Sequence, residues 1–300
     1  MSVVQGEAYS PNVPLLLERN RSGTVHSLFR NGINIRVGQR LVFIGTDVSG
    51  QLPFAVHIDR RSVDRIAYRL HPSGPVLLEY RQQELRLITC NVTIRLDSAR
   101  TFSNTLRDFR GGAGDISANF RNFAALLRTY SHKSGFGLSP TQLMSILQNG
   151  TDRTELGQTF IRFRGSWDCP DPRRRWQTIR PLIGYGAGLT PAGDDFFIGA
   201  LAAGLYSGRV SPVVLRELAE RFAEHPGLTT DISSEYLHYA LKRQFGTSVL
   251  QLLDALFNGQ NADLAKAFSI LAGSGHSSGI DTALGIYCVI HNLLEEAAPS

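Results

Sequence analysis

The spacing of apolar residues changes near residue 100, and this change limits the chain to a fold with two differently built parts. Between residues 24 and 96 apolar and β-branched side chains recur near every second position, as in Ile33–Val37. Such alternation, broken by turn residues, is typical of antiparallel strands. Residues 119–127 instead place apolar side chains three and four positions apart, which is typical of a helix. We therefore expect an α+β protein, with a β-rich N-terminal domain of antiparallel strands over residues 1–108 and a mostly α-helical domain over residues 109–300.

Individual elements follow from these patterns. Strands are expected at residues 33–37, 40–44, 76–80 and 85–94. Residues 1–20 contain two prolines and little periodicity, which predicts an arm or a loose strand. Ser139 and Pro140 predict the start of a helix that ends near residue 147, because proline's missing N–H costs nothing at the first helical position. Gly111–Gly114 predicts a flexible break between the domains.

Composition excludes several classes of protein. The 300 residues include 31 Lys or Arg and 26 Asp or Glu, a net charge of +5. Apart from Arg173–Arg175, which is typical of a solvated stretch, the positive charges are scattered, so we expect a small anionic substrate and no nucleic acid. Three distant cysteines give neither a disulfide framework nor a zinc site. The first residues lack the features of a signal peptide, and the apolar stretch 196–206 is shorter than the roughly 20 residues that span a bilayer. A cytoplasmic location without membrane attachment is expected.

The strongest local motif covers residues 184–195, Gly-Tyr-Gly-Ala-Gly-Leu-Thr-Pro-Ala-Gly-Asp-Asp. Its alternate glycines allow a ligand to approach the main chain. Thr190 suits an N-cap and Pro191 the first helical position. Free amides at such a helix start attract anions, whereas Asp194 and Asp195 point to a metal ion, a cationic group or an amide substrate. The alternative is that the two carboxylates only complement the helix dipole.

A second motif of the same design covers residues 273–285. Ser278 and Asp281 stand three positions apart, as in a capping box with Asp in place of Glu, which is the structural alternative for both residues. His276 precedes the cap between small residues, so the loop can expose its ring. A histidine in that position can act as an acid, a base or a neutral donor, or it can be a structural residue.

A third helix start lies at residues 229–237, Thr-Thr-Asp-Ile-Ser-Ser-Glu-Tyr-Leu. Thr230 suits the N-cap and Ser233 the first turn, a pattern common to many helices. Together with the other two motifs, it gives the helical domain three hydroxyl-rich helix starts. If these ends converge, their amides and hydroxyls would form one polar pocket.

The three motifs occur in the same order in one family of bacterial proteins, typified by the AllH subunit of oxamate carbamoyltransferase. The chain resembles that family at 184–195, at 229–237, in Gly-His-Ser-Ser-Gly-x-Asp-Thr at 275–282, and in Gly-Thr-Val-His-Ser-Leu-Phe at 23–29. Small departures from the family's pattern are Ala187 for proline, Ala192 for serine and Ser277 for threonine. Of these, Ala192 removes a hydroxyl that would be a ligand contact.

The resemblance implies a role in purine (allantoin) nitrogen catabolism. In this catabolism, an enzyme assembled from different subunits converts oxalurate and phosphate to oxamate and carbamoyl phosphate. The expected partners are therefore other subunits of a complex and a small anion such as carbamoyl phosphate or oxamate. The resemblance to this family implies no cofactor, whereas the hydrolase alternative described below would use Mg²⁺.

Motif chemistry and resemblance together give the candidate site residues. Backbone amides of the glycine loops would supply donors for a developing oxyanion. Asp194 and Asp195 would hold amino groups, and His276 would move a proton. The four catalytic candidates are His276, Asp194, Asp195 and Asp281. The substrate-binding candidates, which offer amides or hydroxyls, are Gly186, Gly188, Thr190, Thr229, Thr230, Ser233, Gly275, Ser277, Ser278 and Gly279.

Two other functions remain open at this point. An all-α domain with Gly-Asp-Asp early and Asp-Thr late is loosely similar to ADP-ribosylglycohydrolases, which hold magnesium between such acids. In that reading the chain is a hydrolase, and Asp194, Asp195 and Asp281 bind Mg²⁺ through oxygen. In the other reading the chain is a non-catalytic subunit whose glycine loops contact a partner.

Overall fold

The computed structural model describes residues 2–48, 50–108, 116–259 and 261–297, so the break expected at Gly111–Gly114 lies outside the described residues. The chain divides into two compact units, Met1–Asn104 and Thr105–Ser300. The first unit is rich in strands and the second is mostly helical, which confirms the α+β class. No helix in the described ranges is long and apolar enough to cross a membrane.

The first unit is a barrel-like sheet with two short helices. Its strands among the described residues are β1 (Ser2–Tyr9), β2 (Ser22–Phe29), β3 (Gly32–Val37), β4 (Arg40–Gly45), β5 (Ala55–Ile58), β6 (Pro75–Arg81), β7 (Glu84–Leu87), β8 (Val92–Arg95) and β9 (Arg100–Thr101). Its helices are α1 (Asn12–Leu17) and α2 (Arg60–Ala67). The strands lie in the order β5-β4-β3-β2-β6-β7-β8-β1-β9, and β1 also pairs with β5. That last pairing closes the sheet on itself.

Strand β1 closes the barrel, so the expectation of an arm or loose strand at residues 1–20 was wrong. Ser2–Gln5 pair with β8 in parallel, and the register shifts between Gly6 and Ala8. From Gly6 to Tyr9, on both sides of that irregularity, the strand pairs with β5 in antiparallel fashion. A bulge bends and twists a strand, which lets one strand serve two neighbours. The barrel is otherwise mainly antiparallel, with further parallel pairs at β4–β5 and β1–β9.

The core of the barrel is made by the alternating residues that the sequence pattern singles out. Ile33, Ile35 and Val37 on β3 are all at most 1 % exposed. They pack in one cluster with residues of the other strands and of α2. Helix α2 begins at Asp59, whose side chain accepts a hydrogen bond from the Ser62 amide at 3.1 Å. The burial of these apolar side chains is the main source of the barrel's stability.

The second unit is a bundle of helices. Its helices among the described residues are α3 (Ile116–Thr129), α4 (Pro140–Asn149), α5 (Glu155–Arg164), α6 (Pro172–Ile179), α7 (Ala192–Tyr206), α8 (Pro212–Glu224), α9 (Asp231–Ala240), α10 (Thr247–Asn258), α11 (Asn261–Ala272) and α12 (Ser278–Ala297). Ser139 caps α4 in a complete capping box, as expected. Arg175 on α6 departs from the solvated reading of Arg173–Arg175, because it is 6 % exposed and ion-paired with Glu217.

Helices α7 and α12 cross at the centre of this bundle with their backbones in contact. Every residue of α7 is buried, and it carries small residues where α12 crosses it. A Cβ atom on Gly199 would lie 2.0 Å from the carbonyl oxygen of Thr282. A Cβ atom on Gly285 would lie 1.9 Å from the carbonyl oxygen of Phe196. Only glycine fits at these positions. The close crossing therefore constrains the position in space of the N-terminal ends of α7 and α12 relative to each other.

Candidate active site

The three predicted motifs meet, together with a fourth loop, at the start of α7, α9 and α12. The hydroxyl oxygens of Thr190 and Ser278 are 2.7 Å apart. The Thr230 hydroxyl donates to the carbonyl oxygen of Leu189 at 2.6 Å, so the second helix start also touches the first loop. Residues 88 positions apart in sequence thus share one polar cluster. These contacts make the convergence that the sequence argument assumed.

The helix caps differ in part from the sequence prediction. Thr230 caps α9 by accepting a hydrogen bond from the Ser233 amide at 3.1 Å, as expected. Thr190 does not cap α7, because the helix begins one residue later, with Pro191 at the cap position and no side-chain cap. The Thr190 hydroxyl is instead taken up by Ser278. A tertiary partner has replaced the local one.

Asp194 anchors the first glycine loop to the third motif. The Gly184 amide donates to its Oδ1 at 2.8 Å, and the Thr229 hydroxyl donates to its Oδ2. The side chain is fully buried, and this burial raises the pKa of Asp194 despite those donors. Asp194 thus connects the glycine loop at Gly184 to the segment at Thr229 through buried hydrogen bonds.

Asp281 anchors the fourth loop, which joins α3 to α4. The amide of Gly135 lies 3.1 Å from both carboxyl oxygens of Asp281, and the Ser277 hydroxyl supports the same carboxylate. The carboxylate of Asp281 thus bonds to the Gly135 amide, which differs from the structural alternative of a capping box with Ser278. Burial raises the pKa of Asp281 to about 7. A Cβ atom on Gly135 would lie 2.8 Å from Cβ of Ala192 and 2.9 Å from Oδ2 of Asp281, so the loop fits closely against both helix starts.

Asp195 lies among these groups and differs from both other aspartates. Burial raises its pKa well above the usual value, and the nearby charges of Asp281 and Asp194 raise it further against the hydroxyls of Ser278 and Thr190. Its Oδ2 has no hydrogen-bond partner in the described part of the chain. The side chain is 7 % exposed, whereas Asp194 and Asp281 are 0 % exposed. Of the three carboxyl groups, Asp195 is therefore the one with an unpartnered oxygen among the described residues, and that Oδ2 atom is itself shielded from solvent.

Exposed loop residues border the carboxyl cluster. Gly186 has φ 113°, Gly188 has φ 96° and Gly275 has φ 67°, all in the region that favours glycine. His276 is exposed, as expected, and makes no hydrogen bond to any residue that the structure describes. Gly279 is different, because it is buried and a Cβ atom there would lie 1.7 Å from the carbonyl oxygen of Leu271. Its place is one of backbone packing, apart from the exposed loops.

Sequence reasoning missed two contributors to the site. Gly135 follows His132-Lys133-Ser134, which the sequence suggested was only a loop after a helix, and its contact with Asp281 spans 146 residues. The second is Tyr236 on α9. Burial raises the pKa of its hydroxyl, and the nearby charge of Asp195 raises it further. The mixture of serine and glycine in residues 134–137, shared with the other loops, is the signal that could have found the fourth loop.

The described residues give no support to the magnesium alternative. Both oxygens of Asp281 face the Gly135 amide, and both oxygens of Asp194 accept hydrogen bonds, so these two carboxyl groups are already held by donors within the protein. No group of three or more His, Cys, Asp or Glu side chains in the described ranges is arranged to hold a metal ion. The arrangement suits hydrogen bonding to a polar, uncharged group.

Comparison with known proteins assigns both units. A family model described as "Oxamate carbamoyltransferase subunit AllH" matches residues 182–290, which include all three motifs. A second model, described as "AllH family N-terminal domain", matches residues 7–101, which form the barrel. No solved structure matches the chain. The two family matches cover most of the sequence, and the chain therefore belongs to the AllH family of oxamate carbamoyltransferase subunits.

Proposed function

We propose that this chain is a cytoplasmic subunit of a multi-subunit oxamate carbamoyltransferase and that it supplies the site at which the carbamoyl group is transferred. One observation carries the proposal: the three helix starts meet around Asp194, Asp195 and Asp281. The family match names a subunit of this enzyme, and the cluster gives that subunit a place for chemistry. The physiological setting would be the use of nitrogen from allantoin-derived oxalurate.

The reaction needs little covalent work from the protein. An oxygen of phosphate attacks the carbamoyl carbon of oxalurate, and the bond from that carbon to the oxamate nitrogen breaks. The proton of hydrogen phosphate moves to the departing nitrogen, which gives oxamate and carbamoyl phosphate. Positioning two anions together and stabilising the developing oxyanion are the main requirements.

The loops around the carboxyl cluster meet those requirements. The exposed backbone amides around Gly186, Gly188 and Gly275 would bind phosphate and carboxylate oxygens, as helix starts do for anions in general. The hydroxyls of Thr190, Ser277 and Ser278 would orient the carbamoyl group. His276, exposed at the same loop, would carry the proton from phosphate to the departing nitrogen.

Reconstitution with the partner subunits tests the proposal. Carbamoyl phosphate formed from oxalurate and phosphate is measured for the original complex and for His276→Ala. We expect turnover to fall at least about tenfold, because proton transfer loses its carrier. His71→Ala is the matched control, since His71 is also exposed but belongs to the barrel unit. Thermal unfolding of both variants shows that the fold is kept.

Two results would count against the proposal. Turnover that is unchanged in His276→Ala would remove this residue from the reaction. Full turnover by the partner subunits without this chain would make it a non-catalytic subunit.

A further inference from the structure

The three buried aspartates of the site do different work. Asp194 is fully buried and joins Gly184 to Thr229, and Asp281 is fully buried and holds the amide of Gly135. Their oxygens are used inside the protein. These two residues shape the loops and have no free oxygen facing outward.

Asp195 has the opposite properties. It is 93 % buried, its Oδ2 lacks a hydrogen-bond partner among the described residues, and it keeps the small exposure that its two neighbours lack. A buried polar atom without a partner is costly, so Oδ2 of Asp195 calls for a hydrogen-bond partner, and a ligand group in this site would supply one. The hydroxyls of Thr190 and Ser278, both half-buried, lie beside the same carboxyl group.

From this geometry we infer that Asp195 is the substrate contact of the site, and that its carboxyl group pairs with a primary carboxamide or carbamoyl group through two hydrogen bonds. The inference deepens the proposed function and rests on it for the identity of the substrate. A carboxylic acid offers one O–H donor and one C=O acceptor, side by side, and a primary amide offers the complementary C=O and N–H. A second carboxylate in place of the amide would set acceptor against acceptor.

The surroundings favour the protonated form that this pairing needs. Burial and the nearby carboxyls of Asp281 on α12 and Asp194 on α7 raise the pKa of Asp195, and Tyr236 on α9 contributes a neutral hydroxyl. The hydroxyls of Ser278 and Thr190 act in the other direction and do not outweigh the burial. Asp195 thus combines a free acceptor atom with a proton to donate.

Oxamate and oxalate provide a matched pair of probes. They have nearly the same size and share one carboxylate, and they differ only in an amide against a second carboxylate. Titration calorimetry of the full chain at pH 7, and of the reconstituted complex, measures both. We expect oxamate to bind at least about tenfold tighter than oxalate.

Two isosteric variants separate the hydrogen bonds from the shape of the side chain. Asp195→Asn keeps one donor and one acceptor, so oxamate affinity should stay within about threefold and the preference over oxalate should persist. Asp195→Leu has the same shape without either bond, so oxamate affinity should fall by about tenfold or more and the preference should vanish. Thermal unfolding checks each variant, and the Asn result stands alone if the Leu variant does not fold.

Three outcomes would overturn the inference: equal binding of the two probes by the original protein, a loss of oxamate affinity in Asp195→Asn as large as in Asp195→Leu, or no binding of oxamate by either the chain or the complex. Failure of the proposed function gives a different result from failure of this inference. If the proposed function fails, turnover is independent of His276 but oxamate still binds more tightly than oxalate. Failure of this inference alone would leave turnover dependent on His276 while the Asp195 variants behave otherwise.

Discussion

The barrel and the helical unit bury different chemistry. In the barrel, the described residues that are buried are mainly β-branched and aliphatic, and their few polar companions are hydroxyls, amides and His57. Each buried Asp or Glu of the described residues, namely Asp194, Asp195, Glu235 and Asp281, belongs to the helical unit. Burying a carboxyl group is costly unless it is paired or protonated. The helical unit therefore contains a cluster of buried acids whose stability depends on hydrogen-bond donors and on protonation, and three of its members lie on the closely crossing helices α7 and α12.

The crossing itself should be the most sensitive point of the molecule. Gly285→Ala places a methyl group 1.9 Å from the carbonyl oxygen of Phe196, so the two helices must separate. We expect the free energy of unfolding to fall by about 3 kcal/mol, at the upper end for overpacking. Urea denaturation measures the change. Gly165→Ala is the control, because no atom lies within 4 Å of the added Cβ and its φ is −93°.

A small loss in Gly285→Ala, equal to that in Gly165→Ala, would contradict the contact between α7 and α12. In that case, the close crossing would not be what stabilises the helical unit around its buried acids.

The buried acids should give the protein an unusual dependence on pH. Asp281 has a pKa of about 7 in the folded chain against 3.8 without the fold, so between these values only the folded state holds the proton. The free energy of unfolding should therefore fall as pH rises from about 4 to 7, by at most about 1.4 kcal/mol per pH unit from this group. Asp281→Asn should flatten that slope, as measured by urea denaturation at several pH values.

An acid of the barrel provides the opposite sign. Hydrogen bonding by Ser62 lowers the pKa of Asp59, so its contribution is present at neutral pH and is lost as pH falls through the lowered pKa. Asp59→Asn should therefore change the acid limb of the stability curve and leave the slope between pH 4 and 7 unaltered. Equal slopes for the original protein and Asp281→Asn would show that Asp281 ionises normally.

Removing one helix cap in each unit should have the smallest effect on the free energy of unfolding. Asp59 caps α2 and Thr230 caps α9, each by accepting from the amide three residues later. Replacement of either by Ala should cost about 1 kcal/mol of stability. Thr230 also donates to the carbonyl oxygen of Leu189, so only Thr230→Ala should weaken oxamate binding as well. Equal oxamate affinity in the two variants would place Leu189 and its loop outside the binding surface.

Local patterns predicted much of the fold because the cause of each element lies within it. The alternation at Ile33–Val37 predicts β3, and Ser139 with Pro140 predicts the start of α4. Strand β1 escaped prediction because its partners lie far along the chain and its parallel pairing with β8 leaves no turn signal. Helices α1 and α2 were absent from the prediction for a different reason, because they are too short to show a clear period.

For the site, the sequence predicted the participants better than their roles. The three motifs meet, and His276 is exposed as expected. Thr190 and Asp281 have sequence surroundings that suit caps, yet their bonds go to Ser278 and Gly135, at 88 and 146 residues' separation. A capping pattern states what a side chain can do locally and does not include a competing partner from a distant loop.

The glycine crossing of α7 and α12 has a consequence for recognition. Because α7 and α12 contact each other through bare backbone at Gly199 and Gly285, their relative position is set when the chain folds, and with it the backbone spacing between Asp195 and Ser278. For the proposed binding of oxamate, we therefore expect donors and acceptors that are already at their working distances, so that little conformational freedom is lost when the ligand binds. We also expect such a preorganised site to distinguish an amide nitrogen from a carboxylate oxygen, because it would not reshape itself to accept the wrong atom.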